Sequence, residues 1–144
     1  MKPLTDLLKS LKRHELVGSA ERDVTEIVFD SRLIAACVAE GGTPLYVAQR
    51  GTQTDGHRFI PQVVEAGGRV IVCEDLPGEI SPEVTYVKVP DSALALGCLA
   101  SAFYGEPSRK LKLVGITGTN GKTTTVTLLH RLFTMMGHKT GLLS

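Results

Sequence analysis

The run Thr117-Gly118-Thr119-Asn120-Gly121-Lys122-Thr123-Thr124 constrains this chain more than any other feature. Apolar Leu113, Val114 and Ile116 lead into it, and Val126, Leu129, Phe133 and Met136 follow at helical spacing. The pattern predicts a strand, a glycine-containing turn and a helix, the layout of a phosphate-cradling loop. Gly118 and Gly121 allow dihedrals that side chains forbid and let an anion approach the backbone, while the first amides of a helix lack intrahelical partners. Lys122 is suited to hold β- and γ-phosphates, and the Thr123 hydroxyl to ligate a magnesium ion. As structure alone, the run is a helix start with glycine for the turn and threonine for the cap. Capping, however, does not ask for lysine directly after glycine with threonines behind it. The pattern is a variant, because strict P-loop spacing asks for glycine at 116, where Ile116 stands one place after Gly115.

A chain of 144 residues holds one domain or slightly more. Its 16 basic and 15 acidic residues leave a net charge of +1, so no field draws it to nucleic acid or to a charged membrane surface. No apolar run approaches the ~20 residues that span a bilayer, and no signal-peptide core opens the chain. The expectation is a cytoplasmic monomer with no nucleic-acid or membrane partner. Cys37, Cys73 and Cys98 have no paired spacing, which favours buried reduced thiols over a metal or redox site.

In chain order, Leu4, Leu7, Leu8 and Leu11 predict an amphipathic helix within residues 1–18, with Thr5 as its cap. Strands are expected at 25–30, 45–49, 69–74 and 85–89, and helices at 58–66 and 93–104, the last capped by Ser92. The first strand ends in Phe29-Asp30-Ser31-Arg32, where Asp and Ser are ordinary turn formers. The second runs into Arg50-Gly51-Thr52-Gln53-Thr54-Asp55-Gly56-His57, a loop dense in donors and acceptors that suits either connection or a polar ligand. Gly105-Glu106-Pro107-Ser108 is the expected boundary. Beyond it come a strand, the loop with its helix closing at Gly137, and a further strand at 141–143. One such unit cannot cover both faces of a parallel sheet, so it reads as the start of a larger domain.

These ordered motifs resemble the Mur ligases, ATP-dependent amide-forming enzymes of peptidoglycan precursor synthesis, and within them the UDP-N-acetylmuramoyl-tripeptide synthetase branch. The resemblance covers nearly all of residues 20–144. It implies an α/β fold: an N-terminal α/β domain at 1–106 that holds a UDP-linked sugar, then the truncated start, at 107–144, of a P-loop, Rossmann-like ATP-binding central domain. By resemblance, Phe29 and Ser31 contact the UDP moiety of the substrate, and Thr52, Gln53 and Thr54 form the loop that closes over it. Gly118, Thr119, Asn120, Gly121, Lys122, Thr123 and Thr124 match the ATP loop, with Lys122 catalytic and Thr123 on Mg2+.

The implied reaction joins a diamino acid, diaminopimelate or lysine, to UDP-N-acetylmuramoyl-L-alanyl-D-glutamate. ATP phosphorylates the D-glutamate side-chain carboxylate, and the amine attacks the acyl phosphate. Alternatives are the branch that adds D-Ala-D-Ala, and a non-catalytic nucleotide-sugar-binding module. Against the family pattern, residues 33–44 read as an insertion beside Ser31, and the helix start at Asp91-Ser92-Ala93 lacks a commonly present arginine. The acidic magnesium ligands, the modified lysine and the C-terminal domain of the family have no counterpart, so an N-terminal piece inactive by itself is expected.

Overall fold

The computed structural model describes residues 1–51 and 54–143. The chain forms two compact units, Met1–Pro107 and Ser108–Ser144.

In the first unit the strands are β1 (Lys2–Pro3), β2 (Glu15–Val17), β3 (Asp23–Val24), β4 (Glu26–Val28), β5 (Pro44–Val47), β6 (Val70–Cys73) and β7 (Thr85–Lys88). The helices are α1 (Leu4–Leu8), α2 (Ile34–Ala39), α3 (Ile60–Glu65) and α4 (Ser92–Phe103), with 3-10 turns at Ser31–Leu33 and Gly56–Phe59. A five-stranded sheet runs β2-β7-β6-β5-β4. Strands β4 to β7 are mutually parallel, and β2 lies antiparallel at the β7 edge. A separate antiparallel pair joins β1 to β3.

Every residue of β5 and of β6 is buried, as parallel strands covered on both faces must be. Successive side chains divide between two cores because strand side chains alternate. Leu45, Val47, Val70, Val72 and Val87 face one cluster with Leu4, Leu7, Leu8, Ala95 and Leu99, from α1 and α4. Tyr46, Ile71, Cys73 and Tyr86 face the other with Ile34, Ile60 and Val63, from α2 and α3. Each fully buried Leu, Ile or Val side chain contributes about 1.5–3 kcal/mol of transfer free energy.

Several expectations need correction. The N-terminal helix stops at Leu8, with Pro3 rather than Thr5 at its N-cap and no side-chain cap. The chain then turns back to supply β2, which hydrophobic spacing alone did not reveal. Residues 33–44, expected as an insertion, include a regular element. They contain α2, the crossover that parallel neighbours β4 and β5 require. Its small residues, Ala35, Ala36 and Ala39, give little amphipathic contrast, which hid it. At α4 the cap is Asp91, whose Oδ1 accepts the Leu94 N–H at 2.8 Å, and the Ser92 side chain is engaged elsewhere.

Gly105 and Glu106 carry φ of +76° and +53°, ending α4 before a single turn, α5 (Pro107–Lys110). In the second unit α6 spans Lys122–Met135 and closes at Gly137, φ +87°, where the His138 N–H donates to Phe133 O. The segments expected as strands, 111–116 and 141–143, are not paired into a sheet among the described residues. A strand exists through its ladder bonds, and Leu111, Leu113 and Val114 stand 62–75% exposed with no neighbouring strand. The thiols of Cys37, Cys73 and Cys98 are free, and only Cys73 is buried.

Candidate functional site

The parallel strands β4 and β5 end side by side, and the segments leaving them wall a cleft of about 540 Å³. Open α/β sheets offer ligand crevices at such carboxyl ends. On the β4 side, Asp30 Oδ1 accepts the Arg32 N–H at 3.0 Å and caps the 3-10 turn Ser31–Leu33. The Arg32 guanidinium also donates to both Asp30 oxygens, and this pairing, with the Arg32 amide, holds the carboxyl down at about 2. The cap turns Ser31 into the cleft wall and leaves Phe29 64% exposed at its rim. A ring presented in this way offers a face on which a planar group can stack beside polar donors.

On the β5 side the chain doubles back. Arg50 and Asp55 bridge antiparallel, the Gly51 N–H donates to Thr54 O at 3.1 Å, and the Gly56 N–H donates to Gln49 O at 2.7 Å. A Cβ on Gly56 would sit 2.8 Å from Gln49 N and O, so only glycine fits this close approach. Tyr46 Oη, buried in β5, donates to Gly56 O at 3.1 Å, and burial pushes its hydroxyl up to about 12, keeping it protonated as a donor. Asp55 Oδ1 accepts from both the His57 amide (3.0 Å) and His57 Nδ1 (2.7 Å), which hold its carboxyl below the usual range.

Of the residues expected to bind, the structure brings Phe29, Ser31 and Thr54 to one cleft. Thr52 and Gln53 lie outside the described residues. Sequence reasoning missed Tyr46, Gln49, Phe59 and Gln62, which also line it. Gln49 was open to detection as the first polar residue after an apolar strand. Tyr46 was not, since an aromatic in a buried strand reads as core.

Past Arg50 lies a second cleft, of about 460 Å³. Its charges cancel, with Arg13, Arg50 and Lys88 against Glu15, Glu74 and Asp75. Arg50 is committed, ion-paired with Glu74 Oε2 (3.1 Å) and donating to Asp75.

In the second unit, Gly121 is the N-cap of α6 with φ +73°, and Gly118 has φ +149°. Side chains rarely adopt either conformation, and Gly121 caps α6 with no side chain, so the helix start has no side-chain cap. Lys122 is exposed, and its ammonium curls back to donate to Gly118 O. The Thr125 hydroxyl donates to Gly121 O at 2.8 Å, tying the turn to the first coil of the helix. Among the described residues no group of His, Cys, Asp and Glu side chains is arranged to hold a metal ion, and no helix is long and apolar enough to cross a membrane.

Comparison with known proteins adds identity to this geometry. The family model described as "Mur ligase family, catalytic domain" matches residues 24–104, from β3 to the end of α4. The chain is 51% identical over 142 residues to the UDP-N-acetylmuramoyl-L-alanyl-D-glutamate--2,6-diaminopimelate ligase of Cytophaga hutchinsonii, and 48% over 141 residues to that of Phocaeicola vulgatus. Each alignment takes in 98% of this chain, which spans about 28% of the length of these relatives. Among solved structures, MurF from Acinetobacter baumannii superposes with a TM-score of 0.61 at 25% identity, covering 94% of this chain and 28% of that one. A match over more than half the chain, joined to a parallel sheet with its cleft at the strand ends, shows that this chain belongs to the Mur ligase family.

Proposed function

We propose that this chain is the N-terminal part of an ATP-dependent ligase that joins 2,6-diaminopimelate to UDP-N-acetylmuramoyl-L-alanyl-D-glutamate. The observation that carries the reading is identity of 51% over 98% of this chain to a ligase of that printed name. In this reading residues 1–106 hold the uridine nucleotide. Phe29 offers its ring face, and Ser31 and Thr54, with Thr52 and Gln53, supply neutral donors and acceptors to the uracil edge and diphosphate oxygens.

Residues 107–144 would open the ATP-binding domain. The residues present fit a triphosphate: the glycines at 118 and 121 take dihedrals that admit close backbone approach, and the start of α6 has no side-chain cap. Gly118, Thr119, Asn120, Gly121 and Thr124 would supply the cradle, Lys122 the ammonium, and Thr123 one hydroxyl ligand to a magnesium ion. When bound, ATP supplies the phosphoryl group that turns the D-glutamate side-chain carboxylate into an acyl phosphate open to amine attack. Lys122 orients that group and offsets its charge.

Isothermal titration of this chain with UDP-N-acetylmuramoyl-L-alanyl-D-glutamate should show saturable heat, and its absence would count against the role given to residues 1–106. In the full-length protein, Lys122→Ala should abolish ATP turnover while UDP-sugar binding persists. Turnover that survives the substitution would remove Lys122 from the mechanism. The structural likeness to a D-alanyl-D-alanyl ligase favours a second reading, addition of that dipeptide, but at half the identity. Assaying full-length protein with each amine donor separates the two.

A further inference from the structure

The nucleotide cleft is walled by a hairpin, and one side chain ties that hairpin to the body of the sheet. His57 stands just after it, with its side chain only 12% exposed. The Glu74 backbone N–H, at the end of β6, donates to His57 Nε2 at 2.8 Å. An amide N–H can only donate, so Nε2 must carry a lone pair. The neutral ring then bears its proton on Nδ1, which points at Asp55 Oδ1 at 2.7 Å. The connections close on themselves: Arg50 bridges Asp55 through the backbone, Asp55 holds His57, His57 holds the Glu74 amide, and the Glu74 carboxylate holds Arg50 at 3.1 Å. Glu74 Oε1 extends the ring to α4, accepting the Ser92 N–H at 2.9 Å and its hydroxyl at 2.8 Å.

We infer that His57 is a positioning residue for the nucleotide cleft, a neutral Nδ1–H imidazole that pins the hairpin carrying Thr54 and Gly56 to the end of β6. The inference rests on the reading of that cleft as a uridine-nucleotide site. His57 does not line the cleft itself. It acts through the hairpin, whose position decides where Gly51, Thr54 and Gly56 meet a ligand. The essential half of the pin is the acceptor at Nε2, because the Asp55 contact is local whereas the Glu74 contact joins two strand ends.

Two measurements on the 144-residue chain test it. Long-range 15N–1H NMR of the imidazole at neutral pH should show Nδ1 protonated and Nε2 bare, and the opposite tautomer would overturn the pin. Titration calorimetry with UDP should show affinity falling about tenfold in His57→Asn, which keeps a donor for Asp55 and leaves the Glu74 amide unpaired. His57→Gln, which puts an oxygen near the place of Nε2, should recover most of that loss. A general packing role predicts equal recovery in His57→Met, which fills much the same space as Gln without an accepting oxygen. UDP affinity unchanged in His57→Asn overturns the pin alone, while no UDP binding by the unsubstituted chain overturns the nucleotide reading and the positioning role with it.

Discussion

The Glu74 amide at the end of β6 donates to His57 Nε2 at 2.8 Å, joining residues that stand 17 apart in the chain and leave different strands. The same glutamate accepts two hydrogen bonds from Ser92 and forms an ion pair with Arg50, so a single residue gathers the exits of β5 and β6 and the entry of α4. The carboxyl end of a parallel sheet is where backbone groups run out of ladder partners, and here side chains take over that role.

Glu74 should make stability depend on acid. Its carboxyl is held below its ordinary value of 4.5, first by the Ser92 amide. A group whose folded value is lowered binds protons more readily when unfolded, so its contribution is full above that ordinary value and is lost as pH falls through the folded one. Urea unfolding should show Glu74→Gln less stable by about 1–2 kcal/mol at pH 7, with the gap to the unsubstituted protein closing in acid. A gap that does not change with pH would contradict the assignment.

At the rim of the cleft, Arg32 should govern the titration of Asp30. The guanidinium and amide of Arg32 hold that carboxyl at about 2. In Arg32→Ala the side-chain part of this hold is gone, and NMR titration should show Asp30 ionising at higher pH, closer to the usual 3.8. No upward movement would mean that the amide of the cap alone sets the value.

The sheet interior should be intolerant where the helix surface is not. Ile71 is fully buried in β6, and Ile71→Ala should cost about 2–5 kcal/mol in denaturant unfolding. Leu94, 64% exposed on α4, should change stability by no more than about 0.5 kcal/mol when made alanine. Equal losses at the two sites would contradict the packing described.

In the second unit, glycine and lysine should separate. Gly121→Ala forces an L side chain to φ +73° and should weaken the start of α6 by about 1–2 kcal/mol. Lys122→Ala removes an exposed side chain whose ammonium donates to Gly118 O and should leave helicity unchanged by circular dichroism. In the full-length protein both substitutions should reduce binding of a non-hydrolysable ATP analogue. Retained binding in Lys122→Ala would remove the ammonium from the proposed phosphate contact.

Much of the architecture was legible in the residues. The apolar runs around Leu45, Ile71 and Tyr86 identified three strands, which the structure pairs in parallel. The crossover at Ile34 was not legible, since its alanine-rich face carries little contrast and its necessity follows from β4 and β5 being parallel neighbours. At the cleft, Phe29, Ser31 and Thr54 were singled out by motif, whereas Gln49 and Gln62 reach its wall only through the turns that bring them together.

By itself, then, the sequence determined what is local: the strand alternation, the glycine-bounded helix start at Gly121, and the Asx-type turns at Asp30 and Asp55, each set by dihedral preference and by contacts a few residues away. The tertiary structure alone decided that Ser92 bonds Glu74 instead of capping α4, that residues 33–44 carry the crossover helix α2, and that His57 meets the Glu74 amide. Those outcomes depend on which strand ends lie side by side. Pairing order is a collective property of the whole sheet, carried by backbone bonds that every residue type except proline makes alike.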